Sequence, residues 1–192
     1  MPIAIEVYSD VICPWCFVGK RRLEAALAQL GDDAREVGVT WRPFELNPDM
    51  PREGMDRAAY RAAKFGSAER SRELDARLRA VGAAAGLDFA FDRIGRTPNT
   101  FDAHRLIWFA QREGAGEAVV EALFRRYFLE GQDIGRREVL VDVGRGAGLD
   151  AGAVGRMLDG DGGAREVRTE EQGAYRLGLR GVPLFVVDGR PR

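Results

Sequence analysis

A chain of 192 residues, 45% hydrophobic and 31% charged, has the size and composition of one globular domain, or of one domain carrying a large insertion. With 29 Lys plus Arg against 30 Asp plus Glu, the net charge of −1 excludes steering toward nucleic acid or an anionic membrane. Two cysteines, both inside Cys13-Pro14-Trp15-Cys16, exclude a disulfide scaffold joining distant parts of the chain.

The start of the chain has no basic segment and carries an acid at Glu6, so it does not read as a secretory signal. Apolar runs such as Leu106-Ile107-Trp108-Phe109-Ala110 are too short to span a bilayer, and the expected compartment is the cytoplasm. Ile3, Ile5 and Val7 alternate with Ala4, Glu6 and Tyr8, which predicts a strand with one strongly apolar face. Ser9-Asp10 supplies turn chemistry, and a helix is expected to open at the cysteines because Pro14 suits a first helical position. Leu23, Leu27 and Leu30 continue that helix to a stop at Gly31. Val37, Val39 and Trp41 alternate as a second strand ending near Pro43, so the unit is βαβ with parallel strands.

From about Met55 to Leu179 the pattern is helical. Tyr60, Leu74, Leu78 and Val81 mark one or two helices, and Asn99 or Thr100 caps another running from Phe101 to about Arg112. Val119, Val120, Leu123, Phe124, Tyr127 and Phe128 form a wide apolar stripe on the next. Val139, Leu140 and Val143 give a short helix, Asp150 caps one ending near Leu158, and Glu166 to Leu179 is the last. Such stripes are read as core. Leu184-Phe185-Val186-Val187 is a short buried strand followed by the hairpin dipeptide Asp188-Gly189.

The chemistry lies in Cys13-Pro14-Trp15-Cys16. Cys13 falls where unpaired backbone N–H groups and the positive end of the helix dipole favour thiolate. Cys16 sits one turn deeper on the same helix, close enough to close a disulfide and better shielded. Cys13 therefore attacks, and Cys16 resolves the mixed disulfide. Pro14 stiffens the turn, and Pro14 and Trp15 tune the redox equilibrium. Zinc is excluded at a structural site, because two Cys and one His are too few ligands. Val182-Pro183, just before the last strand, is read as a cis peptide whose exposed Val182 backbone pairs with an extended substrate segment. His104 is read first as a satisfied, partly buried residue, and second as a positive charge able to lower a nearby thiol pKa.

Four motifs in order carry a resemblance. They are Ser9-Asp10-Val11-Ile12-Cys13-Pro14-Trp15-Cys16, Arg42-Pro43-Phe44-Glu45-Leu46-Asn47-Pro48, Arg96-Thr97-Pro98-Asn99-Thr100 with Ala103-His104, and Gly181-Val182-Pro183-Leu184-Phe185. Together they resemble the DsbA-like thioredoxin family of the FrnE type. The resemblance implies an α/β, thioredoxin-like fold with a large all-helical insertion between the second and third strands. Residues 1–50 and 180–192 would form the thioredoxin-like part, and 51–179 the insertion. It implies a cytoplasmic dithiol–disulfide oxidoreductase acting on thiols or disulfides of proteins or small molecules. Cys13 is then the nucleophile, Cys16 the resolving thiol, and Val182-Pro183 the substrate loop. The segment from Pro98 to His104 would bring the helical part over the site, which makes Asn99 and His104 candidate substrate contacts.

No metal or bound cofactor is implied, and glutathione is the small thiol that the resemblance admits as redox partner. A glutathione-dependent isomerase or transferase, like the 2-hydroxychromene-2-carboxylate isomerases and kappa-class transferases of the same superfamily, stays open as a second reading. A peptide-binding or chaperone module is a third, and a homodimer is an admissible state. Family members continue past the cis-Pro strand into a partner strand and a terminal helix. A chain ending at Arg192 is accordingly expected to be truncated, with a three-stranded sheet, an unpaired Leu184–Val187 edge and part of a sheet face uncovered.

Overall fold

The computed structural model describes residues 3–191. Met1, Pro2 and Arg192, which fall in the expected thioredoxin segments, lie outside the described residues. Strand β1 (Ile3–Ser9) runs parallel to β2 (Val37–Pro43), with Val7 opposite Trp41, and helix α1 (Pro14–Leu30) makes the crossover. Gly31 stops α1 with φ at +57°, a conformation that costs glycine little. β2 is an edge strand, and Gln111 covers its free edge. The Gln111 amide accepts from the Trp41 N–H at 2.8 Å and donates to the Trp41 carbonyl at 3.1 Å.

Between β2 and the next strand of this sheet lie seven helices. They are α2 (Arg57–Phe65), α3 (Ala68–Ala84), α4 (Phe101–Arg112), α5 (Gly116–Phe128), α6 (Arg137–Gly146), α7 (Ala151–Asp159) and α8 (Ala164–Arg176). Asp150 caps α7 as its side chain accepts from the Ala153 N–H at 2.7 Å, and at α4 the Asn99 side chain accepts from the Phe101 N–H. A two-residue ladder, β3 (Met55–Asp56) with β4 (Arg96–Thr97), ties the start of α2 to the approach to α4. That ladder is too short to leave a period in the sequence.

After α8 the chain returns as β5 (Leu184–Val187), antiparallel to β1 with Val7 opposite Phe185. The sheet does not stop at three strands. Asp188 and Gly189 both take positive φ, and the chain folds back as β6 (Arg190–Pro191) along β5, giving the order β2-β1-β5-β6. The hairpin is pinned to β1, since the Asp188 N–H donates to the Ala4 carbonyl and the Ala4 N–H donates to the Asp188 carboxylate. The expectation of an unpaired β5 edge is thus corrected at Val186 and Val187. A groove of about 520 Å³ does run over the sheet face between α1 and β5, lined by Ile5, Val18, Leu23, Pro183, Phe185 and Val187 among others.

One core crosses the expected boundary at residue 51. Phe17 of α1 stacks on Phe124 of α5, with ring centroids 4.9 Å apart, and also meets Phe128 and Phe89. Beside it Lys20, buried on α1, pairs with Glu24 and reaches across to Glu117 and Glu121 of α5.

Candidate active site

β1 delivers the chain to a turn at Asp10, and Cys13 is the N-cap of α1 with extended backbone (φ −94°, ψ 112°). Its N–H donates to the Asp10 carbonyl at 3.0 Å, and its own carbonyl accepts from the Cys16 N–H at 3.0 Å. Pro14 occupies the first helical position, where its missing N–H costs nothing. Trp15 is nearly half exposed, at 48%, whereas Cys13 and Cys16 are only 5% and 1% exposed. Both cysteines are free thiols.

The two thiols are pushed in opposite directions. The Cys16 thiol hydrogen-bonds the Cys13 sulfur and, with help from the Cys16 and Trp15 backbone N–H groups, holds Cys13 below the ordinary thiol pKa despite its burial. Burial pushes Cys16 well above the ordinary value, and its bond to Cys13 and the Cys13 charge push the same way. Cys13 Sγ lies 3.7 Å from the carbonyl oxygen of Val182, whose peptide bond to Pro183 is cis. Gly19 allows this approach: a Cβ there would stand 3.2 Å from both Pro183 and Phe185.

Cys13, Pro14, Trp15 and Val182 line a cavity of about 480 Å³. Its far walls come from the helical part, with apolar side chains of Leu74, Leu78, Phe91, Ile94 and Phe128. The cations Arg57, Arg61, Lys64 and Arg77 stand around it, and among the described residues no Asp or Glu lines it. Pro183 lies instead in the adjoining groove on the sheet face, which Trp15 and Val182 also border.

Behind the cysteines, away from that cavity, is a buried polar cluster. Asp10, Glu45, His104 and Glu171 come from the β1–α1 turn, the loop after β2, α4 and α8. Asp10 accepts from the Leu46 N–H at 2.7 Å, and its other oxygen lies 3.7 Å from His104 Nε2. Burial opposes the imidazolium of His104, but Asp10, Glu171 and Glu45 outweigh it and its pKa is raised. Burial, reinforced by Glu171, pushes Glu45 up to about 8, and burial raises Glu171 as well. Among the described residues, one oxygen each of Glu45 and Glu171, His104 Nε2 and Ser9 Oγ find no hydrogen-bond partner.

The structure therefore gathers Cys13, Cys16, Pro14, Trp15, Val182 and Pro183, and sets Asn99 and His104 apart from both cavities that border the motif. Asn99 donates to the Met50 carbonyl at 2.8 Å and accepts from the Phe101 N–H at 3.0 Å, just ahead of the Thr100 N-cap of α4. His104 faces the acids behind the cysteines. The helical part reaches the site through α2, α3, Phe91 and Ile94, and the end of α5 at Tyr127 and Phe128, and the motif before α4 reaches it through Thr97. Sequence reasoning missed Glu45, Glu171 and the cations of α2. For the cations a signal existed, since Arg57, Arg61 and Lys64 recur at helical spacing.

Residues 4–191 match the model of the DSBA-like thioredoxin domain. The chain is 38% identical to a probable DsbA oxidoreductase from Streptomyces coelicolor, with 97% of this chain and 80% of that one aligned at a TM-score of 0.88. It is also similar to a 2-hydroxychromene-2-carboxylate isomerase (14% identity, 98% and 87% of the chains, TM-score 0.75). A third likeness is to the cytosolic disulfide reductase DsbM from Pseudomonas aeruginosa, solved with GSH (21%, 98% and 88%, TM-score 0.68). The last two identities establish a shared fold and nothing finer. A whole-chain family match, with two thiols of opposed character at the start of the helix after β1, leads to one assignment: the chain belongs to the DSBA-like thioredoxin domain family.

Proposed function

We propose that this chain is a thiol–disulfide oxidoreductase working through a reversible Cys13–Cys16 disulfide. The observation that carries the reading is the opposition of the two thiols. Cys13, favoured as thiolate, borders a cavity, while Cys16 is enclosed and held as thiol. A thiolate that attacks and a thiol that stays protonated until needed are what two-step exchange requires. In the forward sense Cys13 forms a mixed disulfide with the substrate, and Cys16 then attacks Cys13 and releases the substrate thiol. The Val182 carbonyl, beside Cys13 Sγ, is the backbone acceptor for an extended substrate.

Substrates are thiols or disulfides of proteins or small molecules. Glutathione, present with the DsbM neighbour, is the first small thiol to test. The cytosol, the compartment named for DsbM, is the proposed setting. The test is a Cys16→Ser variant, which should trap a Cys13 mixed disulfide stable to isolation, read by mass spectrometry after exposure to oxidised substrate. Absence of any adduct, with Cys13 inert to alkylation at neutral pH, sinks the proposal. Glutathione-dependent isomerase activity surviving in Cys13→Ala would favour the second enzyme class instead.

A further inference from the structure

The cavity beside Cys13 has a chemistry of its own. Its roughly 480 Å³ lies in the range of small-molecule sites, and apolar side chains of α3, Phe91, Ile94 and Phe128 make up much of its wall. The polar side is of one sign. Arg57 and Arg61 share a single carboxylate, Asp75, at 2.9 and 2.7 Å. Lys64 bonds only the Tyr60 hydroxyl and the Asn47 side-chain oxygen, and Arg77 meets no carboxylate among the described residues. The whole chain carries a net charge of −1, so this concentration of unanswered cations beside the nucleophile is local rather than a property of the protein at large.

We propose that this cavity selects anionic, low-molecular-mass disulfides with an apolar or aromatic body. The anionic group is held by Lys64 and Arg77, the body lies on Leu78 and Phe91, and one sulfur is presented to Cys13. The proposal rests on the oxidoreductase reading above and names its substrate class. In the reduced protein the Cys13 thiolate attacks one ligand sulfur. A Cys13–ligand S–S bond forms, the ligand S–S bond breaks, and the departing half leaves as a thiolate that takes a proton from water. Cys16 then gives its proton to solvent and, as thiolate, attacks the Cys13 sulfur; the Cys13–Cys16 disulfide closes, the Cys13–ligand S–S bond breaks, and the second half leaves as a thiolate that takes up a proton. Two electrons pass from the protein dithiol to the ligand, which ends as two thiols.

Stopped-flow oxidation of the reduced protein tests this with two aromatic disulfides, the dicarboxylate dithiobis(nitrobenzoate) and uncharged dithiodipyridine. The readout is the ratio of their rate constants, divided by the same ratio for free glutathione thiol. That quotient is expected to be about tenfold or more in favour of the dicarboxylate, and to shrink as salt screens the cations. A Lys64→Gln, Arg77→Gln double variant should lower it about fivefold or more, the scale of partly screened charge pairs. Arg35→Gln, which removes an exposed charge outside the cavity, should leave it in place. A quotient near one, no salt dependence, or an equal fall in Arg35→Gln overturns the substrate class while leaving the redox reading intact. If neither probe closes the Cys13–Cys16 disulfide, the redox reading itself fails.

Discussion

Burying a carboxylate costs free energy unless it stays protonated or is paired, and Glu45 illustrates the first outcome. It faces Glu171, His104, Asp10 and Arg168, and burial with Glu171 beside it pushes its pKa up from an ordinary 4.5 to about 8. Below pH 4.5 folded and unfolded chains both hold the proton, and the contribution to stability is fully present. Above it the unfolded chain releases the proton first, so stability drains away until the folded carboxyl ionises near pH 8. The raised His104 works with the same sign, being lost as the imidazolium deprotonates. The unfolding free energy should thus fall by about 2–4 kcal/mol between mildly acidic and mildly basic pH. Glu45→Gln, which mimics the protonated acid, should remove most of that decline in urea titrations across the range. An unchanged pH slope in the variant would mean that Glu45 ionises as an ordinary exposed acid does.

Among the elements, α7 shows where stability hides from local pattern. Asp150 closes its N-terminus by a side-chain cap, a signal readable from the sequence. Its C-terminal carbonyls are satisfied from α4, by Arg105, a guanidinium only 4% exposed. Arg105 donates to the carbonyls of Met157, Leu158, Gly160 and Gly162 and pairs with Asp102 at 2.7 Å. Arg105→Met keeps much of the volume but leaves the buried Met157 and Leu158 carbonyls and the Asp102 carboxylate without this partner, at a cost of about 3–5 kcal/mol in equilibrium unfolding. A loss under 1 kcal/mol would show that water takes over the carbonyls. The contrast explains what was legible. The strand from Ile3 to Tyr8, which runs one residue further to Ser9, the proline-started α1, Phe101–Arg112 and the Asp150 cap are written in neighbouring residues and fold as read. Arg105, Lys20, Glu45 and Glu171 look in sequence like ordinary solvated charges; only packing across some fifty residues or more sets their roles. The two-residue strands β3, β4 and β6 are fixed by pairing partners, not by any period of their own. For the site, the cysteines and Val182-Pro183 were legible because their spacing is their chemistry. The walls of the cavity were not.

At the scale of the molecule, the discontinuous thioredoxin part and the helical segment share one core, which predicts that they unfold together. Phe17 lies on the helix that carries the cysteines, and its ring stacks on Phe124 and meets Phe128, both from the helical segment. Lys20, one turn on, is buried against Glu117 and Glu121 of the same partner helix. Severing that contact would expose apolar rings and part Lys20 from Glu117 and Glu121, so each part is expected to lose stability without the other. Far-UV circular dichroism, dominated by α2 to α8, and tryptophan fluorescence from Trp15, Trp41 and Trp108 should report one coincident transition. Phe124→Ala should shift both midpoints together, lowering stability by about 3–5 kcal/mol, the range for emptying a buried aromatic site. Because the hole opens beneath the helix bearing Cys13, alkylation of Cys16 by a neutral reagent should also become faster in this variant. Helix signal lost in an earlier step, with Trp41 fluorescence still native, would instead show that the insertion melts by itself and that the shared core does not bind the two parts into one cooperative unit.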